Sequence, residues 1–336
     1  MRRYLQTFFA LSATVLAVTL AFSYWQRPLS GDLTRIGFYS ERDYGWQTKQ
    51  TEQSIAATGA AVIQPDFWVL GDSFSIGNQW QSVIGEQGQL RSQTFHYDKV
   101  GCVSQWINEA AKHPGIRTVV LEVAQISLLT RFANLADCGT APSKPVEAVA
   151  RKAITHPIED FHLSTDWRIK HSALTQINTW RTNRLGVQTL RDDQVANSPL
   201  KPNCANFSNQ QSDRLLYQTG SLDHPHKTAK TYAQAAANLL NLQKRVEAQG
   251  KQFLLIVIPD KFSAYQSCIT DTEASAGQAA VSTCNYLSPA GITCLNLMPL
   301  IDSERLKTRD LYLPNDSHFS NAGYRLLANA IAPYLR

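Results

Sequence analysis

Asp66-Phe67-Trp68-Val69-Leu70-Gly71-Asp72-Ser73-Phe74 is a short apolar run that stops on a glycine and then turns polar. A run of that length bounded by a turn residue reads as a buried strand ending in a tight turn. The stretch after it reads as a helix, with Trp80, Val83 and Ile84 on one face. Strand, glycine, serine and helix is the local geometry a nucleophilic serine needs. The turn exposes Oγ and leaves backbone N–H groups free to hold an oxyanion. An ordinary strand-to-helix turn capped by Asp72 and Ser73 has the same local sequence, so these residues name a candidate and no more.

Working outward, further strands are expected at Gln93–Tyr97, Arg117–Val123, Phe253–Ile258 and Gly291–Leu297. The helix expected over Thr231–Ala248 carries Tyr232, Ala236, Leu239, Leu240 and Val246 on one stripe, and Gly250 stands past its end as a cap. Asn321–Leu335 is a second amphipathic helix, with Tyr324, Leu327, Ala328, Ile331 and Leu335 facing inward. Apolar strands alternating with helices make an α/β fold, a mostly parallel sheet covered on both faces. The domain is expected over residues 61–336. An insertion at about 131–225 interrupts the alternation; it has few β runs and reads as largely helical, as in DWRIKHSALTQINTW.

The first 60 residues differ in kind. Met1-Arg2-Arg3 precedes an uncharged stretch over residues 4–25 that has the length of a transmembrane helix. The two arginines favour an N-in orientation, and Tyr24-Trp25 suits the far interface. Residues 1–27 are therefore expected as a membrane anchor or signal peptide, and 28–60 as a linker. The remainder would face the periplasmic, extracytoplasmic side of the inner (cytoplasmic) membrane. Six cysteines without a C-x-x-C pair argue for disulfides rather than zinc. Cys268 with Cys284, closing a Ser/Ala/Thr-rich loop, is the pairing that spacing favours. Of 336 residues, 43% are hydrophobic and 18% charged, which supports a sizeable core and excludes a disordered chain. The net charge of +5 is scattered, which leaves no footprint for nucleic acid.

The second chemical signal lies at the other end, in Asn315-Asp316-Ser317-His318-Phe319-Ser320-Asn321-Ala322-Gly323-Tyr324. A histidine acting as general base needs a carboxylate to set its tautomer and to stabilise the imidazolium. Asp316 stands two residues before His318, on a loop entering the last helix. A serine turn after the first strand, joined to an Asp-x-His loop before the last helix, resembles the SGNH (GDSL-type) hydrolase and acyltransferase superfamily. The resemblance runs from about residue 62 to the C-terminus, outside the insertion. It implies a flavodoxin-like three-layer α/β/α fold with Ser73, Asp316 and His318 catalytic.

The resemblance also implies oxyanion donors at Ser73 and at Gly101 in DKVGC. A third family donor is an asparagine after the third strand. Here that stretch is LEVAQISL, and Gln125 is the nearest amide. The Asp-x-His spacing and the segment Ile258-Pro259-Asp260-Lys261-Phe262-Ser263-Ala264-Tyr265 look like the alginate O-acetyltransferase group, although the serine precedes the Asp-His motif as in ordinary SGNH enzymes. That likeness implies acetyl transfer to an exported polysaccharide through an acyl-serine, with Lys261 and Tyr265 as substrate contacts. It further implies an integral-membrane protein as acyl donor and no metal or cofactor. An esterase with water as acceptor, and a non-catalytic glycan-binding assembly protein, share the same motifs. Lesser candidates are His96 and Asp98 as cleft residues, and Phe74, Trp80, Trp106 and Phe319 as sugar-stacking rings. His224-Pro225-His226 reads as a solvated loop.

Overall fold

The computed structural model describes residues 2–25, 31–49, 64–88, 90–133, 135, 190–191, 194–221, 229–270 and 283–335. In chain order its strands are β1 (Phe67–Gly71), β2 (Ser92–His96), β3 (Thr118–Ala124), β4 (Leu190–Arg191), β5 (Val195–Pro199), β6 (Arg214–Gln218), β7 (Gln252–Ile258) and β8 (Cys294–Asn296). The main sheet has the order β2-β1-β3-β7-β8, and every neighbouring pair is parallel. With β4, β5 and β6 in a sheet of their own, this is the doubly wound order of flavodoxin-like sheets.

Alternation along the strands divides the core between the two faces, because successive side chains point opposite ways. Val69, Val120, Leu254, Ile256 and Ile258 face one layer, where the helices Gln79–Gly88 and Asn321–Ile331 bring Trp80, Ile84, Tyr324, Leu327 and Ile331. Leu70, Val119, Leu121, Val123, Leu255 and Val257 face the other, covered by the helices Val103–Lys112, Gln125–Phe132 and Ala229–Glu247. A fully buried Leu or Ile contributes about 1.5–3 kcal/mol, so two filled faces account for much of the stability of this domain. The expected cap is present: Gly250 takes φ 70° just after the helix Ala229–Glu247.

The insertion departs from its reading. Its described residues hold no long helix; β4, β5 and β6 form an antiparallel sheet. Ala196, Leu215 and Tyr217 turn to the main core, while Val195 and Leu216 turn away from it and meet Leu33, Tyr39 and Tyr44. VANSP and RLLYQ are strands because a period of two serves two different apolar partners. The expected helical piece DWRIKHSALTQINTW lies outside the described residues.

Residues 31–49 are not a linker. Gly31–Tyr44 folds onto the small sheet through that second apolar cluster and carries two short helices, Asp32–Gly37 and Glu41–Tyr44. Arg2–Trp25 is one helix, with Leu5, Phe8, Phe9, Leu11, Val15 and Leu16 exposed. Among the described residues no helix is long and apolar enough to cross a membrane. The helix expected to span a membrane over 4–25 therefore does not reach that length of apolar sequence, its run being interrupted by Gln6, Thr7, Ser12 and Thr14. The Thr7 and Thr14 hydroxyls donate to carbonyls four residues back, at Arg3 and Ala10.

The favoured disulfide is also corrected. Cys204 pairs with Cys268 and Cys284 with Cys294, while Cys102 is disulfide-bonded as well. Cys268 belongs to the core on one face of the sheet and Cys284 to the core on the other, so a bond between them would have to cross the sheet.

Candidate active site

In doubly wound sheets, ligands settle outside the carboxyl ends of the strands where the winding reverses, which here is between β1 and β3. Ser73 follows β1 after the single residue Asp72, and Gln125 follows β3 directly. Asp72 locks that edge: its Oδ1 accepts from the Phe74 N–H at 3.2 Å and its Oδ2 from the Ala124 N–H at 2.6 Å. The turn rests on Glu122, fully buried in β3, whose Oε2 accepts the Asp72 N–H at 3.1 Å and the Ser75 hydroxyl at 2.7 Å. A Cβ on Gly71 would lie 2.5 Å from Ser75 Cβ and 2.7 Å from Glu122 Oε2, so the close approach of this turn to Glu122 requires glycine. Burial, reinforced by Asp72, pushes the Glu122 carboxyl well above the usual range. Above this framework Ser73 is exposed.

The Asp-x-His loop reaches the same place. The His318 ring lies 4.8 Å from the ring of Phe74, the residue after Ser73, and Phe319 lies 5.5 Å from Phe74. Asp316 Oδ1 sits 2.5 Å from His318 Nδ1 and also accepts the His318 backbone N–H at 2.9 Å. With Nδ1 engaged by a carboxylate, Nε2 is the nitrogen that can accept a proton. Burial alone would lower the histidine, but the Asp316 carboxylate outweighs it and the imidazole is pushed up to about 9. Burial likewise works to raise Asp316, yet His318 and its hydrogen bonds hold it well below the usual carboxylate range.

Gly101 ends the short helix Tyr97–Val100 with φ 65°, is exposed, and has open space where a Cβ would stand. His96 caps that helix by accepting the Asp98 N–H, and Asp98 pairs with Arg131 at 3.7 Å. Gln125 is buried at the start of its helix. Trp80, Trp106 and Phe319 are core residues, at most 2% exposed, and not sugar-stacking surfaces. His224, Pro225 and His226 lie outside the described residues.

Lys261 and Tyr265 are not surface contacts. Tyr265 is buried between Phe207 and Tyr312. Lys261 lies beneath the Asp-x-His loop, where its ammonium donates to the carbonyls of Leu313 at 2.7 Å, Pro314 at 2.9 Å and Asp316 at 3.1 Å. Burial drags this ammonium down to about 7 against the pull of Asp316, Asp32 and Asp310. The Pro-x-Lys segment therefore sets the loop rather than the substrate. Lys261→Met would strand three carbonyls, and we expect it to lower the unfolding free energy by roughly 2–4 kcal/mol. A urea transition with unchanged midpoint would contradict this role.

Two further acids belong to the site, Glu122 from the Glu-containing block of β3 and a second, Asp32, with no sequence signal. Asp32 Oδ1 accepts the Ser317 N–H at 2.7 Å, and its Oδ2 accepts the Ser317 hydroxyl and stands 3.9 Å from His318 Nδ1. Asp32, Asp316 and His318 each place a potential metal-ligand atom within 4.8 Å of the others, but here those groups satisfy one another and Ser317.

Residues 210–336 match the family model described as SGNH hydrolase-like domain, acetyltransferase AlgX. The matched part holds β6 through the last helix, including Lys261 and the Asp316–His318 pair. It bears out the resemblance drawn from those motifs, and SGNH hydrolase-like domains point to esterase or acyltransferase chemistry. The Ser73 turn lies upstream of it. No curated protein and no solved structure matches the chain.

Proposed function

We propose that this chain is an extracytoplasmic O-acetyltransferase that acts on an exported polysaccharide through an acyl-serine at Ser73. The observation that carries the reading is the arrival of the Asp316–His318 pair beside the Ser73 turn, at the reversal point of a doubly wound sheet. His318 Nε2 takes the Ser73 proton as Oγ attacks the carbonyl of an acetyl ester. The tetrahedral oxyanion is held by the N–H groups of Ser73 and Gly101, with the Gln125 amide as third donor. The donor's oxygen leaves with the proton from His318. A sugar hydroxyl then gives its proton to His318 and attacks the acetyl-serine, which restores Ser73. The mechanism asks nothing of a metal or cofactor.

Location is part of the proposal. Disulfides persist in oxidising compartments, and every described cysteine is bonded. The helix Arg2–Trp25, with Leu5, Phe8, Phe9, Leu11, Val15 and Leu16 exposed, suits the surface of the cytoplasmic membrane on its outer side. Six peptide steps join Trp25 to Gly31, so the helix end lies within ~22 Å of the segment that touches the His318 loop. A site held that close to a bilayer suits an acetyl group handed out by an integral-membrane donor protein.

The test uses the full chain with 4-nitrophenyl acetate, with and without candidate oligosaccharides. We expect peptide mass spectrometry of quenched reactions to find acetyl on Ser73, and added acceptor to collect acetyl faster than free acetate appears. Acetyl-Ser73 that yields only acetate with every acceptor would make the protein an esterase. Turnover without any acetyl-Ser73 would remove the acyl-serine route.

A further inference from the structure

Resting on the acyl-serine reading, we infer that Asp32, from the segment ahead of the α/β domain, is a positioning residue of the active site. It fixes the Asp316-Ser317-His318 turn and supplies a second carboxylate on the Nδ1 side of His318.

The contacts are two-way. The Asp32 backbone N–H donates to Asp316 Oδ2 at 3.0 Å, while the Asp32 carboxylate takes both the N–H and the hydroxyl of Ser317. Asp316 then has both oxygens committed: Oδ1 to His318 and Oδ2 to Asp32. A carboxylate restrained on both sides cannot swing away from the imidazole it orients.

The neighbouring residues serve the same clamp. Thr34 N–H donates to the Asn315 carbonyl at 3.2 Å. Glu41, nearly fully buried, accepts the Gly31 N–H at 3.0 Å through Oε1 and the Asn315 side-chain amide at 2.9 Å through Oε2. The segment meets the loop so closely at Gly31 that a Cβ there would fall 1.9 Å from the Asn315 carbonyl oxygen. Leu33, Tyr39 and Tyr44 seat the whole segment on the small sheet.

Two features exceed what holding a loop requires. Asp32 Oδ2 stands 3.9 Å from His318 Nδ1, where a negative charge favours the imidazolium formed when Ser73 gives up its proton. The carboxylate is also maintained at a cost: burial and the nearby Asp316 push it up to about 6. A neutral asparagine would hold the Ser317 N–H without that penalty. The titratable groups around His318 are Asp316 and Asp32 at Nδ1, Asp72 at the end of β1, Lys261 under the turn, and Glu122 and Tyr324 behind them.

The experiment compares wild-type, Asp32→Asn, Ser317→Ala and Ser73→Ala full chains on 4-nitrophenyl acetate across pH. For Asp32→Asn we expect kcat to fall about 10- to 100-fold at alkaline pH with KM little changed, the scale of a small misplacement of catalytic groups. The rising limb of its pH profile should move to lower pH, because the histidine loses a neighbouring negative charge. Ser317→Ala keeps the charge, so its kcat should fall without movement of the limb. Wild-type kcat and an unmoved limb in Asp32→Asn, with Ser73→Ala inactive, would overturn the inference. So would a loss seen entirely in KM or in folded fraction. If Asp32→Asn does not fold, an undiminished kcat in Ser317→Ala overturns it instead. A fully active Ser73→Ala would strike the acyl-serine reading itself, whatever Asp32 does.

Discussion

Ser73→Ala is expected to leave a folded protein that loses between about ten-thousand-fold and a million-fold of its kcat on an acetyl ester. Folding is spared because the Ser73 side chain is exposed, while the turn beneath is built by Asp72, Glu122 and Ser75. On the acyl-serine reading the catalytic loss should be large, because a nucleophile and its base work as a unit. Once Oγ is absent, His318 has no proton to take, and only the oxyanion donors and substrate positioning still act. His318→Ala is therefore expected to cost about as much as Ser73→Ala, and the double variant hardly more. Losses that multiplied in the double variant would mean that Ser73 and His318 belong to different steps. A Ser73→Ala protein with more than a tenth of wild-type turnover would end the serine-dependent reading.

The main sheet was legible because β1 and β7 are apolar runs closed by a glycine and a proline, β3 is a β-branched run, and periodic helices lie between the strands. Both ends of the site were legible for a related reason. Nucleophilic turns and Asp-x-His loops are short, and their chemistry is written in adjacent residues. Lys261 was singled out for its segment, but its role was inverted. A lysine after an apolar strand looks exposed until the loop above it offers three carbonyls.

Asp32 and Glu41 were illegible because their partners lie more than 270 residues away. Nothing in GDLTRIG signals that its aspartate will meet a histidine near the other terminus. The small sheet was missed for a different reason. Its strands carry apolar residues on both faces, so the polar-apolar alternation of a half-exposed strand is absent. The disulfides were misjudged because spacing ignores which face of the sheet a cysteine occupies.

Asp316→Asn should separate orientation from charge. In the wild type the neutral imidazole needed by Ser73 accumulates only as pH rises through about 9, so kcat/KM should climb roughly tenfold per pH unit below that point. Asparagine in place of Asp316 removes the principal influence that raises His318, and leaves burial, which lowers it, against the smaller pull of Asp32 and Asp72. The histidine is then neutral at lower pH, and the rising limb moves to the acid side. The alkaline plateau nevertheless drops by about ten-thousand-fold. An amide at Nδ1 can present its NH2 group and turn the imidazole to the wrong tautomer, with the proton on the nitrogen that should face Ser73. The two effects oppose each other, so the deficit should be greatest near pH 9 and smaller near pH 6, where few wild-type molecules hold a neutral base. A deficit of the same size at every pH, or a limb that stays in place, would mean that Asp316 does not govern the proton of His318.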